Sequence, residues 1–339
     1  MTSRAYVELR SDTFTTPTPE MRRAMADAEV GDDEYGEDPT VNRLQSLAAA
    51  ALGTEAALYT PSGTMANQLA IRVMARPGTE VLCPARSHVY QYELAASAQN
   101  SGVQMHPLWD VPDGIVAALD GSTYEFPPIS MLTLENTYMV MSGAPTGAEE
   151  MRTLVGLGRA GGLRVHVDGA RIWNAAVATG VAPSDLIGGA DTVMFCLSKG
   201  LGAPVGSLLC GPADVIAEAR VQRRKLGGGM RQAGVIAAAG VVALETMVTR
   251  LADDHARARV IADALAQRWP GSVDPASIHT NIVCARLDTL PDHFIDRLGA
   301  AGVRVGTIDP RTVRFVTHKD VDDQDVARTV AAFDGLRAG

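Results

Sequence analysis

The sequence predicts an α/β protein with one large unit over residues 1–248 and a smaller α+β lobe over 249–339. Three observations carry this. From Ala56 onward, short apolar runs alternate with helix-length segments, the order that builds a sheet covered by helices. Beyond Leu251 the texture changes to helix, strand, helix, two strands and a closing helix. Apolar residues make up 46% of the 339 and charged residues 20%, which supplies a sizeable core and argues against disorder.

Each element has a local reason. Arg10-Ser-Asp-Thr13 is a polar cluster in the N-terminal arm. Pro17 and Pro19 punctuate the entry to a helix over 20–28, where Met21, Ala24, Met25 and Ala28 keep a helical period. Gly31-Asp-Asp-Glu-Tyr-Gly-Glu-Asp-Pro39 reads as a solvated acidic loop presenting Tyr35; its carboxylates lack EF-hand spacing, so no metal is assigned. Thr40 is the expected cap of a helix over 41–52 that stops at Gly53. A strand over 56–59 breaks at Pro61-Ser-Gly-Thr64, and a helix over 65–74 follows, an order that aims backbone N–H groups at an anion.

Strands are expected over 80–83, 103–108 and 129–135, with a helix over 89–97 beginning just after His88. Residues 110–127 show no clear pattern. A helix over 149–160 precedes a strand over 163–168, and further strands cover 193–197 and 205–209. The triple glycine of Leu226-Gly-Gly-Gly-Met-Arg-Gln232 leads into a helix over 233–247. The lobe then reads as helix 254–269, strand 281–287, helix 291–301, strands 303–308 and 312–316, and helix 322–336.

Charge and cysteine usage exclude several classes. A net charge of −9 leaves no basic footprint for nucleic acid. Four cysteines, none in a CxxC pair, read as free thiols in a reducing compartment. The chain starts without an apolar leader, and its longest apolar stretch, 233–244, is too short for a bilayer. The expectation is a soluble cytoplasmic protein.

The chemistry gathers at strand ends. The run 193–197 delivers Ser198 and Lys199 into a glycine-rich turn, and the preceding strand ends at Asp168 with Arg171 three residues on. Burial lowers an ammonium's pKa and makes an amine a usable nucleophile toward a carbonyl. A nucleophilic lysine, a strand-end aspartate, a Gly-Thr turn and a histidine are what pyridoxal phosphate needs: an amine for its aldehyde, an acid for its ring nitrogen, donors for its phosphate and a planar group for its face. No GxGxxG follows the first strand (Gly156-Leu-Gly-Arg-Ala-Gly161 closes a helix instead) and GxxxxGK[ST] does not occur, which removes nicotinamide and P-loop chemistry.

At these residues the sequence resembles the threonine aldolase family of pyridoxal 5′-phosphate enzymes. The resemblance runs nearly end to end through Leu9-Arg-Ser-Asp-Thr13, the acidic loop 31–39, Ser62-Gly-Thr64, Leu134-Glu-Asn-Thr137, His166-Val-Asp-Gly-Ala-Arg171, Leu197-Ser-Lys-Gly-Leu-Gly202, Gly227-Gly-Gly-Met-Arg-Gln232 and Val313-Arg-Phe-Val-Thr-His318. It implies a fold-type I architecture, a large domain on a mixed, mostly parallel seven-stranded sheet with a small C-terminal domain. It implies that Lys199 holds the cofactor covalently, Asp168 pairs with the pyridine nitrogen and Arg171 with the phenolic oxygen. His88 would stack on the ring near the substrate hydroxyl and act as base, directly or through a water. Gly63, Thr64 and Ser198 would hold the phosphate, with Arg231 arriving from a neighbouring subunit. Ser11 and Arg314 would grip an amino-acid substrate's carboxylate, and Tyr35 would close the site across a dimer interface within a homotetramer built from dimers.

The implied reaction is cleavage of an L-β-hydroxy-α-amino acid to glycine and an aldehyde. β-Elimination, transamination or racemisation on the same scaffold, or a silent cofactor-binding protein, are the alternatives. One departure stands out: the family commonly has a histidine where this chain has Tyr138, followed by Met139-Val-Met141. A phenol is a poor base near neutral pH, and the larger apolar wall predicts a range shifted toward bulkier β-substituents.

Overall fold

The computed structural model describes residues 6–121 and 123–336; the leader-free reading of residues 1–5 falls outside them. Eleven strands occur among the described residues: β1 (Val7–Leu9), β2 (Ala56–Thr60), β3 (Glu80–Pro84), β4 (Gln104–Leu108), β5 (Ile129–Glu135), β6 (Arg164–Asp168), β7 (Thr192–Cys196), β8 (Ser207–Gly211), β9 (Ile282–Arg286), β10 (Val303–Asp309) and β11 (Thr312–Val316). Seven form one sheet in the order β2-β8-β7-β6-β5-β3-β4, and four form another in the order β1-β10-β11-β9. In the large sheet β3 to β7 pair in parallel, and β8 is antiparallel to both its neighbours. Only β8 therefore runs against the other six, which is the mostly parallel architecture expected.

Alternation explains why both faces are covered. Val193 and Phe195 of β7 point into one apolar layer, with helices Pro39–Leu52, Ala148–Ala160 and Gly234–Thr246. Met194 and Cys196 point into the opposite layer, with helices Gly63–Met74 and Ala213–Lys225. The smaller sheet has its own core, in which Trp269 meets Phe294 and Phe333 edge-on with centroids 5.4 and 5.7 Å apart. β1, from the N-terminal arm, pairs in parallel with β10. The arm thus joins the smaller sheet before the chain enters the larger one. No single described helix is long and apolar enough to cross a membrane.

Three local expectations change. Asp38, not Thr40, caps the helix Pro39–Leu52, accepting the N–H groups of Thr40 and Val41, with Pro39 at the first helical position. A helix, Val111–Asp120 with Asp110 as its cap, occupies the stretch that shows no pattern. The helix expected over 89–97 is two short ones, His88–Gln91 and Ala96–Ser101, because Leu94 and Ala95 adopt positive φ (54° and 59°). That break leaves Glu93 buried, bonded to three side chains of the site described below. At the mouth of β8, Gly206 has φ 107°, and a Cβ there would strike the Tyr59 ring.

The acidic loop is not simply solvated. Asp33 and Arg223 are both fully buried and pair at 2.6 Å, while Arg223 also donates to the Tyr59 carbonyl at 2.6 Å. This fastens the loop carrying Tyr35 to the large sheet. Removing one partner strands a buried charge, so Asp33→Ala is expected to lower unfolding stability by about 3–5 kcal/mol. The double replacement Asp33→Leu/Arg223→Met should lose clearly less than the sum of its single changes, as read from denaturant midpoints.

Candidate active site

Because β2, β3, β5, β6 and β7 all run the same way, their carboxyl ends meet at one edge of the sheet, where open α/β folds bind ligands. A cleft of about 230 Å3 lies there, and Gly63, Thr64, His88, Asp168, Ser198 and Lys199 all line it. Larger hollows lie elsewhere, such as one beside Thr79, Tyr90 and Pro127, but no comparable set of titratable groups converges in that one.

Lys199 is half-buried in a turn held from two sides: Thr15 Oγ1 and the Gly202 N–H donate to its carbonyl at 3.0 and 2.9 Å. Asp168 is buried at the end of β6, its Oδ1 accepting the Ala170 N–H at 3.0 Å and its Oδ2 accepting Asn67 Nδ2 at 2.7 Å. The helix Gly63–Met74 points its N-terminus at the same space, capped by Ser62 through Met65 N. A Cβ on Gly63 would lie 2.9 Å from both Cys196 Sγ and Met194 Cε on the cleft floor, so the turn requires glycine. An amine, an anchored carboxylate, a planar imidazole and a glycine-opened helix N-terminus fit the four demands of pyridoxal phosphate.

His88 stands on the other wall. Its backbone N–H donates to Glu135 Oε2 at 2.7 Å, its Nδ1 bonds Glu93 Oε1 at 2.9 Å, and its ring stacks on Tyr92 with centroids 5.6 Å apart. Burial opposes charge on this imidazole, but the Glu93 hydrogen bond and the nearby Asp168 outweigh it and leave its pKa raised. Burial and then Asp168 push Glu135 up to about 7, against the N–H bonds from Met139 and His88. Burial, reinforced by Glu135, pushes Tyr138 up to about 12, and its oxygen accepts the Arg86 N–H at 3.2 Å. Tyr138 is thus protonated near neutral pH.

Arg314 donates to the Arg10 carbonyl at 3.0 Å, which brings it beside Ser11, and its Nη1 lies 3.2 Å from Met139 Sδ. Its Nε is buried without a hydrogen-bond partner among the described residues. A guanidinium so short of acceptors suits a carboxylate. Met141, by contrast, is more than half exposed.

Arg171 does not line the cleft. It is buried and commits Nε and Nη2 to Asp12 at 2.8 and 2.7 Å. Burial would raise Asp12, but the Arg171 guanidinium holds its carboxyl well below the usual range. Asn281 of the smaller sheet also donates to Asp12, at 3.2 Å, so Asp12 joins the arm, β6 and β9 behind the site. Arg231 and Tyr35 lie outside the cleft as well. Arg231 is exposed and 3.6 Å from Asp32, and Tyr35 is 78% exposed.

Sequence reasoning missed Asn67 and Glu93, and it named Asp12, Glu135 and His166 without a role. A signal existed for Asn67: with Gln68 it sits in the middle of a mostly apolar helix, and both are buried. His88, Glu93 and Asp168 bring ligand-type atoms within 4.8 Å of one another. Asn67 Nδ2 donates to both carboxylates, however, so an amide stands where a cation would.

The sequence pattern of the beta-eliminating lyase family matches residues 8–288. A probable low-specificity L-threonine aldolase 2 of Arabidopsis thaliana is 38% identical, the match covering 97% of this chain and 97% of that one. A low specificity L-threonine aldolase of Escherichia coli is 37% identical over 96% of this chain and 97% of its own. Among solved structures, the threonine aldolase of Leishmania major superposes with a TM-score of 0.84 at 19% identity, covering 98% of this chain and all of that one.

Proposed function

This chain belongs to the beta-eliminating lyase family, among its threonine aldolases, and from that premise we propose that it cleaves L-threonine and related L-β-hydroxy-α-amino acids to glycine and an aldehyde. Its cofactor is pyridoxal 5′-phosphate. The observation that carries the reading is the convergence of Lys199, Asp168 and a Glu93-held His88 in one cleft. When bound, the cofactor supplies the electron sink for the pair released at Cα.

The chain's own residues do the rest. Lys199 holds the cofactor covalently through Nζ, Asp168 keeps a proton on its ring nitrogen, and Arg171 serves the phenolic oxygen. Gly63, Thr64 and Ser198 hold the phosphate. Arg314 and Ser11 orient the substrate carboxylate, which fixes which bond at Cα faces His88. His88 then takes the β-hydroxyl proton at Nε2, because Nδ1 is occupied by Glu93. Tyr138, protonated and bonded to Arg86, supports a role as pocket wall and hydroxyl contact rather than base.

Incubation with L-threonine should release glycine and acetaldehyde in equal amounts; pyruvate or another keto acid would replace this reading with elimination or transamination. Tyr92 stacks on His88, Met139 lies against Arg314 and Tyr138 replaces a smaller histidine, so L-phenylserine is expected to be cleaved with a higher kcat/KM than L-threonine or L-allo-threonine. A clear preference for L-threonine would overturn that expectation. The same reading has the chain working in the cytoplasm as a homotetramer, a dimer of dimers. The exposure of Arg231 and Tyr35, away from their own cleft, supports their completing a neighbour's site.

A further inference from the structure

At the cleft a buried polar chain joins Glu93 and Asp168 to two residues, Asn67 and His166, that the reaction as described does not use. Glu93 and Asp168 are 3% exposed each, Asn67 1%, and His166 fully buried. Asn67 Nδ2 donates to Glu93 Oε1 at 2.8 Å and to Asp168 Oδ2 at 2.7 Å, while its Oδ1 lies 3.0 Å from His166 Nε2. His166 Nδ1 lies 2.8 Å from Thr192 Oγ1. Burial lowers His166 to about 4, so near neutral pH it carries one ring proton.

One pattern satisfies every atom. Two carboxylates can only accept, so the Asn67 nitrogen faces them and its oxygen faces His166. His166 then donates from Nε2 and accepts the Thr192 hydroxyl at Nδ1. The amide cannot flip without setting its oxygen against two carboxylates. Around the cluster stand His88, Glu93, Glu135, His166, Asp168 and Lys199.

We propose that Asn67 is a positioning residue of this site, its amide spacing the Glu93 and Asp168 carboxylates and holding each toward its own partner. The consequences divide between its two N–H groups. One fixes Asp168 where it can face a ring nitrogen. The other fixes Glu93, bonded also by Gln68 Nε2 at 2.7 Å, where it accepts the Nδ1 proton of His88 and leaves Nε2 open. Remove the amide, and two buried carboxylates face each other across a short gap with no donor between them, so at least one must turn from its partner.

This inference rests on the roles given above to His88 and Asp168, but its test does not need turnover. The dissociation constant of pyridoxal phosphate is measured on the full chain for the wild type, Asn67→Leu, Glu93→Gln and the double variant. Asn67→Leu keeps the branched shape and removes both donors, and is expected to weaken cofactor binding roughly tenfold or more. Glu93→Gln in that background removes the opposing charge and should recover most of the loss, giving a strongly non-additive cycle.

Equal losses in Asn67→Leu and in the double variant would mean that Asn67 only packs, and would overturn the proposal. So would wild-type binding by Asn67→Leu. Should Asn67→Leu not fold, Asn67→Ser keeps one donor, and its smaller loss should show the same recovery. A chain that shows the recovery but cleaves no β-hydroxy amino acid would sink the proposed reaction and leave this inference standing; cleavage without recovery does the reverse.

Discussion

Lys199→Ala is expected to lose the covalent hold on pyridoxal phosphate and to cut L-threonine cleavage by about 10³-fold or more. The chain has only three lysines, Lys199, Lys225 and Lys319. Lys225 closes the helix Ala213–Lys225 away from the cleft, and Lys319 pairs with Asp320 at 2.7 Å. No second amine can substitute. Borohydride reduction followed by peptide mass spectrometry should place the cofactor on Lys199 in the wild type and nowhere in the variant. Lys199→Arg is the sharper control, since it keeps the charge and fails equally if the amine acts as a nucleophile. An adduct on Lys225 or Lys319 with turnover retained would refute the assignment.

His88→Asn should lower kcat by about 10²–10⁴-fold, the range over which a positioned base acts, with cofactor binding changed far less. The pH dependence carries its own sign. A base works deprotonated, and the hydrogen bond to Glu93 raises the His88 pKa above the ordinary imidazole value. Activity should therefore fall as pH drops through that raised pKa, earlier than an ordinary imidazole would allow. Glu93→Gln removes the carboxylate and should move this acidic limb to lower pH. An unchanged limb in both variants would point to another base, with Glu135 the first to test.

Much of the large sheet was legible because most of its strands are buried on both faces and read as short, largely apolar runs. Its chemistry was legible because parallel strands place their carboxyl ends together, so residues that follow such runs become neighbours without further information. Lys199, Asp168 and His88 were found in this way. The short helices after His88 were not. Nothing in Val89 to Ser97 announces a break, and the positive φ at Leu94 and Ala95 is accompanied by Glu93 buried against Asn67, Gln68 and His88. That is a tertiary demand overriding helical propensity.

The sequence by itself determined the cofactor's demands and most of the order of elements, through residue type and short spacing at strand ends, and the reaction class through its resemblance to the threonine aldolases. Only the tertiary structure decided how those groups are held. Asp12 reaches Arg171 across 159 residues and Asn67 reaches Asp168 across 101. Such pairings depend on which way a buried side chain points once the sheet has closed, and periodicity along the chain does not carry that direction. Arg171 reads as a cofactor ligand in sequence, and the structure adds that two of its nitrogens are committed to Asp12. Asn67 shows in sequence only as a polar residue in a mostly apolar helix, yet it links the carboxylate that holds His88 to the one that faces the cofactor.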